Sequence, residues 1–210
     1  MLAIIDYGVG NLFSLKSSLA SIGVDAVVTS DPEQITGADR IILPGVGAFA
    51  DAMKKLEESG TAEPLRKAAA SGTPIMGICL GMQLLLERSF EYGEHEGLGL
   101  IPGSVKPIAD AICPDLKVPH IGWNRLRFPA SPGQDPAEKH HLFDGIEEGA
   151  YVYFVHSYYA TDCDEATIAV TDYGADLTAA VCKGNVSGCQ FHPEKSGDVG
   201  LQILRNFCGV

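Results

Sequence analysis

The chain holds a thiol, an imidazole and a carboxylate in settings that suit acyl transfer. Cys79 stands in Gly77-Ile78-Cys79-Leu80-Gly81, between the apolar run Pro74–Ile78 and a segment whose Leu84, Leu85 and Glu87 read as a helix. Gly-x-Cys-x-Gly between strand and helix is the nucleophile-elbow pattern with cysteine in place of serine. A turn this sharp forces strained φ/ψ on the nucleophile, and its neighbours must pack without a Cβ. At the start of a helix, free N–H groups and the dipole suit a thiolate, the form that attacks carbonyls. The plainer alternative is a buried structural cysteine, since free cysteine is among the most buried residue types. The flanking glycines favour the elbow.

The second such stretch is Gln190-Phe-His-Pro-Glu-Lys195. It ends a strand pattern, which places His192 at a strand's C-terminal edge, where α/β sheets carry their ligands. Cys–His chemistry needs an imidazole that takes the thiol proton and returns it to the leaving amine. It also needs an acid that holds the ring in one tautomer. Glu194 lies two residues on, so both side chains can share one side of an extended segment. Without Cys79 this would read as a surface His-Pro turn with Glu194 and Lys195 solvated; with it, the catalytic reading prevails. Two Gly-rich turns imitate dinucleotide sites. Gly8-Val-Gly10 lacks the third small residue, having Phe13 there. Gly45-Val-Gly47-Ala-Phe-Ala50 fits, but its following strand lacks the ribose-binding acid. Pro44–Gly47 suits another role, presenting backbone N–H groups to a developing oxyanion.

These residues require a scaffold, and the periodicity supplies one. Strands are expected at Leu2–Asp6, Val24–Thr29, Arg40–Leu43 and Pro74–Ile78. Helices are expected near Leu12–Ile22, after the Ser30–Glu33 cap, and near Ala48–Glu58 and Pro64–Ala70. Such alternation predicts a parallel sheet covered on both faces. Beyond Ser89 the texture changes. Glu91–Gly103 is rich in glycine and acid, and Val105–Val118 gives no clear element. Trp123–Phe128 reads as a strand and Ala130–Pro136 as an exposed polar loop. Further strands are expected at Tyr151–Tyr159, Thr167–Thr171, Leu177–Cys182 and Val186–Phe191, with a last helix over Asp198–Phe207. The C-terminal half is therefore expected to be largely antiparallel, within one domain spanning 1–210.

The composition narrows the function classes. A net charge of −12 argues against nucleic acid or an anionic membrane as partner. Met1–Ile5 has no basic segment before it and meets Asp6 at once, so it reads as a first strand and not a signal peptide. No stretch reaches the roughly 18 apolar residues of a membrane span. The six cysteines form no CxxC pair and no metal-ligand spacing with the histidines; they read as reduced thiols of a cytoplasmic protein.

Gly77-Ile-Cys-Leu-Gly-Met-Gln83 together with Phe191-His-Pro-Glu194 resembles the class I, triad-type glutamine amidotransferases. Asp6-Tyr-Gly-Val-Gly-Asn-Leu12, Pro119-His-Ile-Gly-Trp-Asn124 and Tyr153-Phe-Val-His-Ser-Tyr158 resemble one branch of that family, the glutaminase subunits of imidazole glycerol phosphate synthases. The likeness covers essentially the whole chain, although Ala130–Lys139 looks longer than the usual connection. It implies a flavodoxin-like α/β fold, with a mostly parallel central sheet flanked by helices and additional antiparallel strands in the C-terminal half. It also implies glutamine hydrolysis through a Cys79 thioester, with His192 as base and then acid and Glu194 as its orienter. The N–H of Leu80, with that of Val46 or Gly47, would form the oxyanion hole. Gly45, Gln83, His156, Ser157 and Tyr158 would hold glutamine. For Gln83 an exposed helix position is the plainer reading. The implied partner is a (β/α)8 cyclase subunit in a heterodimer, contacted through Asn11, Trp123, Asn124, Tyr153 and Lys195. No cofactor and no metal is expected, and His120 reads as structural. Two other readings stay open: a glutaminase serving a pyridoxal phosphate, anthranilate or nucleotide synthase, and a non-catalytic binding subunit of the same fold.

Overall fold

The computed structural model describes residues 1–129 and 139–210. The Ala130–Pro136 loop, and with it most of the Ala130–Lys139 stretch, lies outside them. The first half alternates as its periodicity predicts. β1 (Leu2–Ile5) leads to α1 (Leu12–Ser21), capped by Asn11, whose side chain accepts the Ser14 N–H. β2 (Ala26–Thr29) is followed by α2 (Pro32–Thr36), where Asp31 caps Glu33 and Pro32 occupies the first turn. β3 (Arg40–Gly45), α3 (Phe49–Glu58), α4 (Ala62–Ala70), β4 (Ile75–Cys79) and α5 (Leu80–Leu84) complete it. Then come β5 (Arg88–Ser89), β6 (His95–Glu96), β7 (Ser104–Pro107), β8 (His120–Arg125), β9 (Tyr151–His156), β10 (Tyr158–Thr161), β11 (Thr167–Asp172), β12 (Asp176–Lys183), β13 (Val186–Cys189) and α6 (Gly197–Cys208).

The main sheet runs β11-β12-β13-β4-β3-β1-β2, parallel from β13 to β2 and antiparallel at the β11–β12–β13 end. Alternate residues of β1 enter opposite cores, as pleating requires. Ala3 and Ile5 join Phe49, Leu56 and Leu65 of α3 and α4 on one face. Leu2 and Ile4 join Leu15, Leu19, Ile203 and Phe207 of α1 and α6 on the other. Both faces are thereby covered, as the near-continuous apolar strands demand. A smaller sheet, β10-β7-β5-β6, and the antiparallel β8–β9 ribbon stand beside it.

The structure revises three expectations. The helix after Cys79 stops at Leu84 and does not reach Glu87. Leu84, Leu85 and Leu86 are all fully buried, which no one-sided helix allows. The carbonyls of Leu84 and Leu85 turn instead to the N–H groups of Leu98, Leu100 and Ile101. The expected strand Tyr151–Tyr159 is two strands in two sheets: β9 pairs with β8, β10 with β7, and the break falls at Ser157. The Trp123–Phe128 strand begins earlier, at His120, and ends at Arg125; Arg127 makes only an isolated bridge to Val170.

Candidate active site

Cys79 sits at the end of the central strand β4, flanked by β3 in register Gly45↔Cys79 and by β13 in register Cys189↔Ile78. Its backbone has φ 55° and ψ −113°, a conformation that costs a non-glycine residue about 1–3 kcal/mol and persists only where the surroundings enforce it. The enforcement is steric. A Cβ on Gly81 would lie 1.9 Å from the Leu43 carbonyl oxygen, and one on Gly77 would lie 2.6 Å from Met82 N. A Cβ on Gly45 would lie 2.6 Å from Gly81 N. Strand and helix therefore close to a distance only glycine allows, and Cys79 is carried to the sheet's C-terminal edge.

β13 brings the imidazole to the same edge. His192 Nδ1 donates to Glu194 Oε1 at 2.8 Å, and both side chains are only 4% exposed. With Nδ1 so held, Nε2 is left for the thiol. Glu194 Oε2 has no hydrogen-bond partner among the described residues. Burial pulls the His192 pKa down, but hydrogen bonds and charge from Cys79 and Glu194 outweigh it and raise the pKa to about 9. An imidazolium beside Cys79 supplies the positive charge that a thiolate needs. The segment is docked through its backbone. His192 N donates to the Tyr153 carbonyl at 2.9 Å, while Ser196 Oγ accepts from Tyr153 N at 2.9 Å and donates to the His192 carbonyl at 2.7 Å. The β9 strand is thus tied to the His192–Glu194 loop, with the Val155 carbonyl 3.9 Å from Cys79 Sγ.

Cys79 and His192 open on a pocket of about 320 Å³. Val46, Gly47, Leu80, Gln83, His156, Ser157 and Tyr158 line it, so all but one of the residues expected for the oxyanion and for substrate meet there. Gly45 lies behind the elbow, against a much smaller cavity shared with Asn11, His192 and Glu194. Gln83 is buried, not exposed, and its Nε2 donates to the Tyr158 carbonyl (3.0 Å) and to Gln190 Oε1 (2.9 Å). Tyr158 O is placed by the same break that ends β9.

Three contributors had no role assigned from the sequence. Gln190, at the head of the His192 stretch, is fully buried and brings its Nε2 to 3.7 Å from Cys79 Sγ. Glu91, in the Gly- and acid-rich segment, lines the pocket while accepting the Phe49 N–H at the start of α3, a helix with no side-chain cap of its own. Tyr7 donates its hydroxyl to the Pro44 carbonyl at 2.8 Å and pins the entry to the Pro44–Gly47 loop.

Of the residues expected to meet a partner, Trp123 is 55% exposed and packs edge-on to Tyr153 across the β8–β9 ribbon. Lys195 is exposed in the turn after Glu194, and Asn11 is exposed at the cap of α1. Asn124 faces inward in part, donating to the Asp172 carbonyl at 2.8 Å. His120 is buried in the ribbon. Among the described residues no cluster of three His, Cys, Asp or Glu is placed to hold a metal ion, and no helix is long and apolar enough to cross a membrane.

Known proteins resemble this chain in sequence and in fold. The sequence profile of the family described as "Glutamine amidotransferase class-I" matches residues 3–209. The chain is 49% identical over 214 residues to the "Imidazole glycerol phosphate synthase subunit HisH" of Bacillus cereus (strain G9842), covering 100% of this chain and 95% of that protein. It is 50% identical to the protein of the same name from Sulfurimonas denitrificans, covering 99% and 97%. A crystal structure described as a glutamine amidotransferase superposes with a TM-score of 0.74 at 22% identity, over 99% of both chains, which extends the likeness in fold.

Proposed function

Because this chain belongs to the class-I glutamine amidotransferase family, with the HisH subunits of imidazole glycerol phosphate synthase among its relatives, we propose that it is the glutaminase subunit of such a synthase in histidine biosynthesis. The observation that carries the reading is the elbow cysteine at φ 55° facing an imidazole whose far nitrogen is held 2.8 Å from a buried carboxylate.

The chemistry follows from those positions. Cys79 Sγ attacks the side-chain carboxamide carbon of glutamine. The oxyanion receives the N–H of Leu80 and one from Val46 or Gly47, groups aimed at charge that develops only in the transition state. His192 gives its Nε2 proton to the departing nitrogen, ammonia leaves, and a thioester remains. The now neutral imidazole takes a proton from water, which attacks the thioester and releases glutamate and the thiol. Glu194 keeps the ring oriented throughout. Gln83, His156, Ser157 and Tyr158 hold the substrate, and the Glu91 carboxylate suits its α-ammonium.

The ammonia passes to a (β/α)8 cyclase subunit that forms imidazole glycerol phosphate and the aminoimidazole carboxamide ribonucleotide. The two subunits form a heterodimer in the cytoplasm. The partner docks on Asn11, Trp123, Asn124, Tyr153 and Lys195, the last two flanking the triad loop. The amidotransferase occupies 1–210 as one domain and requires no cofactor. Because Val46 and Gly47 stand exposed beyond the end of β3, the chain alone is a poor glutaminase and the loaded partner stimulates it.

The test is glutamate release by the chain alone, with the cyclase, and with cyclase plus its nucleotide. Stimulation by the loaded partner is expected. Hydrolysis indifferent to that partner moves the subunit to another synthase, and no hydrolysis in all three makes it a binding subunit. Cys79→Ala should abolish glutamine-dependent synthesis and leave synthesis from free ammonia intact; loss of both in an assembled complex contradicts the division of labour.

A further inference from the structure

His120 and His156 face each other across the β8–β9 ribbon, and acyl transfer uses neither as acid or base. The His120 ring is buried and stacked between Phe154 (4.8 Å) and Tyr173 (4.1 Å). Both of its nitrogens are engaged: Nε2 lies 3.2 Å from Asn124 Nδ2, and Nδ1 lies 3.0 Å from His156 Nε2. His156 Nδ1 lies 2.9 Å from the Tyr158 carbonyl oxygen.

The two ends fix where the protons are. Asn124 Oδ1 already accepts the Arg125 N–H at 2.8 Å, so its amide nitrogen meets His120 as a donor. The Tyr158 carbonyl can only accept. One pattern satisfies both: Asn124 Nδ2–H to His120 Nε2, His120 Nδ1–H to His156 Nε2, and His156 Nδ1–H to Tyr158 O. Each ring is then neutral and carries its proton on Nδ1. A second proton on either would set two N–H groups against each other. Burial acts in the same direction, lowering His120 to about 4 and His156 to about 3.

This hydrogen-bonded line begins beside Trp123, on the face expected to meet the cyclase, and ends at the carbonyl that also receives Gln83 Nε2. We propose that His120 is a positioning residue for glutamine hydrolysis: it locks His156 in one tautomer and one orientation, and through the Tyr158 carbonyl sets the Gln83 wall of the pocket. The proposal rests on the glutaminase reading of that pocket.

Two variants separate the hydrogen bonds from the ring. His120→Phe keeps an aromatic ring between Phe154 and Tyr173 and removes both hydrogen bonds; His120→Asn keeps an N–H near the place of Nδ1 and removes the ring. In the complex with cyclase and its nucleotide, His120→Phe should raise KM for glutamine roughly tenfold, the scale of one buried hydrogen bond, with kcat changed less than about threefold. His120→Asn should recover most of that KM. An unchanged KM in His120→Phe, or equal losses in both variants, makes His120 a core ring only and overturns the proposal. A wild-type complex without glutaminase activity overturns the function itself, and the positioning role with it. The network has its own readout, which also stands if a variant fails to fold: imidazole ¹⁵N spectra of the wild-type complex. Nδ1–H tautomers on both rings are expected, and an Nε2–H tautomer on His156 sinks the proposal.

Discussion

The turns that follow β3 and β4 lie side by side at one edge of the sheet, paired at Gly45 and Cys79, and they are held in different ways. Around Cys79 each glycine answers a contact: Gly77 and Gly81 let strand, helix and the neighbouring β3 backbone approach within distances that any Cβ would block. After β3, Val46 is 44% exposed, and a Cβ on Gly47 would meet nothing within 4 Å, although its φ of +97° is one that glycine adopts most easily. The turn is fastened at its two ends, by Tyr7 on the Pro44 carbonyl and by Glu91 on the Phe49 N–H, with Val46 and Gly47 between them. The thiol and the Leu80 N–H are therefore fixed by packing, while the second proposed oxyanion donor, at Val46 or Gly47, is held by little beyond its own chain. A nucleophile that stands ready beside one loosely held donor suits the proposed control of its rate by another subunit. Two loop conformations close in energy can be re-weighted by a partner that favours one of them, and a packed core cannot.

The sharpest way to break the contrast is to add one methyl group to each turn. Gly81→Ala places a Cβ 1.9 Å from a backbone oxygen of β3, where no side chain can yield. The expected loss is about 3 kcal/mol or more, or failure to fold, read by thermal and denaturant melts. A well-folded Gly81→Ala chain with an unchanged melt would show that the elbow is not packed as described.

The next effect is electrostatic and belongs to the packed turn. The folded pKa of His192, about 9, lies above the ordinary value of 6.5. The imidazolium therefore contributes stability in full below pH 6.5, and that contribution is lost as pH rises through 9. Of the groups that raise the pKa, Cys79 supplies both a hydrogen bond and a charge interaction. Cys79→Ser, whose hydroxyl stays neutral, should move the His192 NMR midpoint down by about one unit or more and shrink the alkaline loss of stability. An unmoved midpoint would mean that Glu194 alone sets it.

Gly47→Ala should act less on stability and more on rate. It meets no atom within 4 Å but imposes a β-carbon on φ +97°. The expected cost is about 1 kcal/mol in the melt, with partner-stimulated glutamine turnover reduced roughly tenfold because the donor loop loses conformations. Equal damage to fold and turnover would erase the distinction between the turns.

How much of this was legible follows the same division between local and distant contacts. The elbow could be read because its glycines, its apolar strand and its cysteine are consecutive, and each answers a need of the turn itself. His192 and Glu194 could be paired because they are two residues apart. The hidden parts are made by contacts distant in sequence. Gln190 reaches Gln83 across 107 positions, and His120 reaches His156 across 36. Glu91 sits in a segment whose glycine and acid gave no periodicity. The break at Ser157 was invisible because Tyr151–Tyr159 reads as one run of strand formers, while the ladder it joins changes partner from β8 to β7. Propensity records what a residue prefers, and pairing is decided by what lies opposite.

The smallest change is the most exacting. Val46 borders both the pocket in front of Cys79 and the small cavity lined by Asn11, His192 and Glu194, yet it is half-exposed and joins neither of the large cores. If the β3 turn is held as loosely as its surroundings indicate, Val46→Ala removes two methyl groups from solvent and not from packing. The melt should then shift by less than about 0.5 kcal/mol, the ordinary range of a surface substitution. Under the same conditions Leu80→Ala, on the buried side of the elbow, should cost about 2–5 kcal/mol. The pair measures the contrast directly: a Val46→Ala loss approaching that of Leu80→Ala would mean that the β3 turn is as firmly built as the nucleophile, and the proposed control by a partner would then have to act somewhere other than on this turn.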